Sequence, residues 1–136
     1  MHGFDKSVFD FSLEKKYLIV THYHCITCFN VIGWGSTQYP GRSTKLLQQA
    51  RMPVIAEGNC KQLQETICVG SGKEDGANAC GGDTGGPLMC PNSDGTWTVH
   101  GVGSVLGEHC KDYTAYSPIH KYVTWIQKYV SEIHHD

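Results

Sequence analysis

The stretch Cys80-Gly81-Gly82-Asp83-Thr84-Gly85-Gly86-Pro87-Leu88 decides how this chain is read. Glycine carries no Cβ, so the amides around Gly81 and Gly82 can approach a substrate oxygen closely. Asp83 is a carboxylate set between a glycine and a hydroxyl residue. Thr84 places its hydroxyl just past the turn, where a nucleophile can stand clear of the backbone. Gly85, Gly86 and Pro87 let the chain turn sharply and enter a strand at Leu88. The composition is that of a tight backbone cradle.

Outward from that cradle, the chain reads as short apolar segments between turn signals. Val31–Ile32, Thr66–Val69, Leu88–Cys90, Thr96–Val102 and Ala115–Tyr116 are expected strands. Gly41, Gly58, the Ser71–Gly76 loop and Asn92–Gly95 are expected turns. This rhythm points to an all-β antiparallel barrel or sandwich. Only the end looks helical. Ile119, Val123, Ile126, Val130 and Ile133 form one apolar stripe. Ser117 is placed to cap that helix and Pro118 to open it, with His134 and His135 at the C-terminal end of its dipole.

Composition narrows the class. A chain of 136 residues holds one domain with a real core. The net charge of −2 gives no attraction to nucleic acid or to an anionic membrane. No apolar run approaches the ~20 residues a spanning helix needs. Seven cysteines and sixteen glycines suggest a loop-rich, disulfide-tied, secreted domain. The segment Met1–Asp5 carries no basic start followed by an apolar run, so no signal peptide is visible. Residues 1–27 are poorly patterned, and the ordered text begins near Cys28.

The cradle stretch resembles the nucleophile loop of the chymotrypsin-like (trypsin-superfamily) serine proteases, with Thr84 where the family has serine. Other segments are similar in the family's order. Gly33-Trp34-Gly35 resembles its Gly-Trp-Gly turn, and Leu46–Ala50 with Pro53-Val54 resembles the next strand. Ile67-Cys68-Val69-Gly70 resembles its Ile-Cys-Ala-Gly strand. Gly101–Ser104 resembles the strand lining the substrate cleft, and Tyr116–Ile126 the last strand and closing helix. The resemblance covers mainly the family's C-terminal half. It implies an all-β fold: a C-terminal six-stranded antiparallel barrel over residues 28–136 plus a C-terminal α-helix. The first barrel is then largely missing, and residues 1–27 are its remnant.

The same resemblance implies disulfides Cys28–Cys90, Cys60–Cys68 and Cys80–Cys110, a connectivity that spacing alone cannot choose. Cys25 is left over. Ser12-Leu13 followed by Leu18–Cys25 is similar to the family's histidine segment, which makes His24 the general base. The segment departs from the pattern, with no Gly-Gly before Ser12, His22 and Tyr23 in place of two alanines, and Phe9 where the partner of Cys25 should stand. No acidic residue can be assigned to orient His24, and no Ile-Val-Gly-Gly activation sequence is present.

The family's chemistry uses a hydroxyl nucleophile, an imidazole base and two backbone N–H groups for the oxyanion. By position these are Thr84, His24 and the amides of Gly82 and Thr84, with Asp83 as the carboxylate that pairs with a new N-terminus. Asn78 lies six residues before Thr84, at the floor of the primary pocket. Its neutral amide gives no selection for Lys or Arg. Ser104, Val105 and Leu106 match the strand that pairs with substrate backbone, and Leu106 with Thr114 narrows the pocket mouth. That pattern resembles the pancreatic elastases and implies substrates with small aliphatic side chains. Threonine stiffens the nucleophile's χ1 and crowds the site. The expectation is therefore an elastase-like serine endopeptidase whose activity is weak or lost. It acts on peptides or proteins, is met by protease inhibitors, and needs no cofactor or metal. An alternative is a non-catalytic homologue that binds peptides or inhibitors. A third reading, from another class, is a zinc site at His22, His24, Cys25 and Cys28, since Cys25-x-x-Cys28 has zinc-ligand spacing.

Overall fold

The computed structural model describes residues 28–55, 60, 65–70 and 78–130. The leader 1–27 lies outside the described residues, as do Gly58, the Ser71–Gly76 loop and the terminal residues 131–136. Six strands run β1 (Cys28–Gly33), β2 (Gln48–Pro53), β3 (Ile67–Val69), β4 (Pro87–Pro91), β5 (Trp97–Leu106) and β6 (Thr114–Pro118). They form one antiparallel sheet in the order β2-β1-β4-β5-β6-β3. The two outer strands meet where Val54 bridges Val69, so the sheet curls back on itself. Two further bonds tighten this seam, Ile55 N–H to the Cys68 carbonyl and Gly70 N–H to the Pro53 carbonyl, each 3.0 Å. Closing the sheet removes the exposed edges that would otherwise pair with other chains.

Five of these strands form where the apolar segments placed them, each a residue or more longer or shorter than expected, and β2 falls where only the resemblance at Leu46–Ala50 and Pro53-Val54 implied a strand. Their inward side chains build one core of Phe29, Val31, Met52, Ile67, Val69, Ala79, Leu88, Cys90 and Tyr116. Met52, Val69 and Leu88 are wholly buried. A smaller cluster of Cys60, Cys68 and Ala115 packs around the Cys60–Cys68 disulfide. Cys80–Cys110 is the second bridge, and Cys90 is also disulfide-bonded. The Cys28 side chain, assigned to Cys90 by resemblance, lies outside the described residues.

Two β-bulges re-aim β5. Leu88 pairs with Gly101 and Met89 with Val99, which leaves His100 as the extra residue. Gly103 pairs with Tyr116 and Val105 with Ala115, which leaves Ser104 as the second. A bulge bends and twists its strand and turns a side chain out of alternation. His100 keeps the inward side it shares with Thr98, its ring 5.2 Å from Phe29 in an edge-on contact, and the break in alternation falls at Gly101, which is buried directly after it. Burial and the positive field of His120 hold its imidazole below the usual histidine value.

The C-terminal helix is much shorter than its apolar stripe suggests. Ile119–Tyr122 is a 3₁₀ turn, and α1 spans only Val123–Gln127. Ser117 and Pro118 neither cap nor open it, because they belong to β6, paired with Val102 and Gly101. Sheet pairing has overridden a local capping signal. Ile119, Val123 and Ile126 are half-buried as the stripe predicts, while Val130 is exposed.

Candidate active site

The cradle sits at the mouth of the curled sheet, between the end of β1 and the start of β4. Its turn is clipped from within: Asp83 N–H donates to the Cys80 carbonyl at 2.9 Å and Gly86 N–H to the Asp83 carbonyl at 3.0 Å. It is clipped to β5 as well, through Gly85 N–H to the Gly103 carbonyl and Gly103 N–H to the Gly86 carbonyl, both 2.9 Å. Gly82 (φ 101°) and Gly85 (φ 86°) take left-handed backbone that other residues enter at a cost. Thr84 and Gly82 are both exposed at the top of this turn.

Asp83 points back into the protein. Its Oδ1 accepts the Gly35 N–H at 2.8 Å and its Oδ2 accepts the Cys80 N–H at 3.0 Å. The carboxylate lies where a Cβ on Gly33 or Gly35 would fall, so the Gly-Trp-Gly turn is its seat. Ser36 N–H donates to the Gly81 carbonyl at 3.0 Å and fastens the same two loops together. Beside the carboxylate is a small cavity of about 30 Å³ that Gly33, Gly35, Ser36, Asn78 and Asp83 help to line. Tyr116 lies buried nearby, and burial together with the Asp83 charge pushes its phenol up from the usual value.

On the other side of the turn, the last strand pair between β4 and β5 is Pro87 with Val102. Beyond it β5 runs on to Leu106 with β6 as its strand partner. Ser104 and Val105 are exposed and Leu106 is half-buried. This is a short strand margin next to Thr84, of the kind to which an extended peptide can add. Thr114 faces Leu106 in the β5–β6 register and is wholly buried. The Thr114 hydroxyl and both polar atoms of the Asn78 amide are buried without a hydrogen-bond partner among the described residues.

The structure sets Gly82, Asp83 and Thr84 in one turn, bonded to Gly103, from which β5 runs on through Ser104, Val105 and Leu106. Asn78 lines the cavity beside Asp83, and Thr114 lies across from Leu106. His24 and Cys25 lie outside the described residues, with the other side chains of the zinc reading, His22 and Cys28. Sequence reasoning missed the contact of Asp83 with Gly33 and Gly35. The Gly-x-Gly spacing was visible, but the residue it serves stands 48 positions away from Gly35. It also missed Tyr39, whose ring packs against His109 at 4.8 Å. Nothing in the local text pairs those two residues.

Comparison with known proteins agrees with this geometry. The family described as Trypsin matches residues 23–126. The chain is 35% identical over 130 residues to chymotrypsin-C of Mus musculus, covering 85% of this chain and 45% of that protein. It is 33% identical over 113 residues to proproteinase E of Bos taurus, covering 74% of this chain and 44% of that protein. It therefore spans less than half the length of these relatives. A clipped glycine turn carrying an inward-pointing, half-exposed aspartate, on a closed six-stranded antiparallel sheet, is what the family match leads one to expect, and this chain belongs to the trypsin family of chymotrypsin-like serine proteases.

Proposed function

We propose that this chain carries the oxyanion cradle and peptide-binding cleft of an elastase-like serine endopeptidase, with Thr84 in the nucleophile's place and hydrolysis slow or absent. The observation that carries the reading is the Cys80–Leu88 turn held beside the open margin of β5. An extended peptide pairing with Ser104–Leu106 would bring a backbone carbonyl towards Thr84 and the amides of Gly82 and Thr84. Two such donors supply a few kcal/mol of stabilisation to a developing oxyanion. The neutral Asn78 favours uncharged side chains, and the half-buried Leu106 favours small ones. The extra methyl of Thr84 stiffens the hydroxyl that must attack.

Asp83 fits the part of an activation carboxylate. The cavity beside it, of about 30 Å³, has room for a group the size of an ammonium. Peptides, proteins and protease inhibitors are the partners of such a cleft, and secretion suits its disulfides. The reading of a non-catalytic binder rests on the same cleft and is favoured by the β-branched Thr84.

A fluorogenic peptide with Ala or Val before the scissile bond tests these readings, with wild type, Thr84→Ser and Thr84→Ala compared. Slow turnover that rises in Thr84→Ser and vanishes in Thr84→Ala supports the endopeptidase. Binding of the peptide without turnover in any form supports the binder. Absence of binding in all three overturns the cleft.

A further inference from the structure

The loop Gly107–Tyr113 borders the cleft just past Leu106 and holds an unusual backbone. His109 (φ 54°), Cys110 (φ 60°) and Asp112 (φ 67°) are all left-handed without being glycine. Such backbone persists only where the surroundings over-determine it. Backbone bonds within the loop hold it, among them Gly107 N–H to the Tyr113 carbonyl at 2.8 Å, and two ties reach from it towards the cradle and the hairpin. One is the Cys80–Cys110 disulfide, which joins the loop to the first residue of the cradle. The other is the Tyr39 ring, packed against His109 at 4.8 Å in a tilted contact with planes 53° apart.

Tyr39 stands near the tip of the hairpin that joins β1 to β2. That hairpin is closed by a Ser36–Ser43 bridge and by Thr44 N–H to the Trp34 carbonyl at 2.9 Å. Its base presses on the cradle. Ser36 N–H holds the Gly81 carbonyl, and Gly35 N–H holds Asp83. A Cβ on Gly82 would lie 3.2 Å from both the Gly35 Cα and the Ser43 Oγ, so the two backbones are nearly in contact. The cradle is therefore gripped on one side by the hairpin base and on the other, through the disulfide, by the Gly107–Tyr113 loop. The Tyr39–His109 contact joins these two grips on the outside. It is made by side chains exposed to solvent, with Tyr39 60% exposed. An aromatic pair contributing about 0.5–1.5 kcal/mol is then a restraint on the site, outside the core that holds the barrel.

The geometry points to Tyr39 and His109 as a clasp that holds the cradle in shape, with Tyr39 a positioning residue for the oxyanion-binding amides of Gly82 and Thr84. This rests on the cleft reading above for its functional consequence, though not for the clasp itself. The variants are Tyr39→Ala, His109→Ala and the conservative Tyr39→Phe. The first readout is amide hydrogen exchange without ligand. In both alanine variants exchange at Ser36 and Asp83 should rise about twofold to tenfold, with the paired amides of β1 and β4 unchanged. Tyr39→Phe should keep wild-type protection. The second readout compares an acetylated Ala-rich tripeptide ending in a free carboxylate, which presents an anionic oxygen to the cradle, with its carboxamide. Tyr39→Ala should weaken the carboxylate about twofold to tenfold and leave the carboxamide alone. Unchanged exchange at Ser36 and Asp83 overturns the clasp, and so does a rise shared by β1 and β4. If neither tripeptide binds the wild type, the cleft reading fails while exchange still decides the clasp.

Discussion

Gly33→Ala is the sharpest perturbation this architecture offers. The added methyl would land on Asp83 Oδ1, with the carboxylate carbon 2.7 Å away. The carboxylate must leave, and with it go the bonds from Gly35 N–H and Cys80 N–H. Hydrogen bonds to a charged group contribute about 1.5–3 kcal/mol each, so the gross loss is roughly 3–6 kcal/mol. Asp83 is half-exposed and regains about half of that from water. Alanine also stabilises by about 0.5 kcal/mol through a less disordered unfolded chain. The net expectation is a loss of about 1–2.5 kcal/mol. Urea unfolding of the oxidised protein reads this as a midpoint lower by roughly 1 M at an ordinary m value. Gly81→Ala is the matched control, since a Cβ there meets nothing within 4 Å. It should change stability by less than about 0.5 kcal/mol. The cause is isolated by repeating Gly33→Ala in an Asp83→Ala background, where most of the cost should vanish. Equal costs for Gly33→Ala and Gly81→Ala, or an undiminished cost without Asp83, would refute the reasoning.

Three other expectations follow from named contacts. His100 has a depressed folded pKa, so the unfolded chain takes up its proton first as pH falls. Its contribution is fully present above the ordinary histidine value of about 6.5 and is lost as pH drops through the lower folded value. Urea midpoints measured from pH 7.5 to 5 should fall, and His100→Gln should flatten that slope; an unchanged slope would count against it. Thr114→Val removes a wholly buried hydroxyl that has no partner among the described residues, in a side chain of the same shape. It should leave stability equal or raise it by about 1 kcal/mol, and a loss of 2 kcal/mol or more in urea unfolding would reveal a partner. Replacing the two bridges by serine pairs should rank by loop length, with separations of 8 for Cys60–Cys68 and 30 for Cys80–Cys110. Chain entropy gives about 2.5 and about 3.6 kcal/mol, and calorimetry showing the opposite order would reject the entropic account.

Much of the barrel was legible because strands write themselves in alternation and turns in glycine. Val31–Ile32, Leu88–Cys90 and Ala115–Tyr116 all lie within the strands observed. The helix was overread. Its stripe is real at Ile119, Val123 and Ile126, but Ser117 and Pro118 were already committed to β5 across the sheet. A capping signal contributes about 1 kcal/mol, and strand pairing on a packed core outweighs it. The cradle was legible as a motif because its glycines and Asp83 are contiguous. Its supports were not, since Gly35, Ser36 and Gly103 reach it from distant segments.

By itself, then, the sequence determined the all-β class, the family and the cradle, because each depends on residues adjacent in the chain or on their order along it. Only the tertiary structure decided where Asp83 points, that Ser104 and His100 are bulges, that α1 is five residues long, and that Tyr39 reaches His109. Those outcomes depend on which distant backbones can approach one another once the sheet closes. Hydrogen-bond pairing and side-chain volume settle that across the fold, and no local run of residues encodes it.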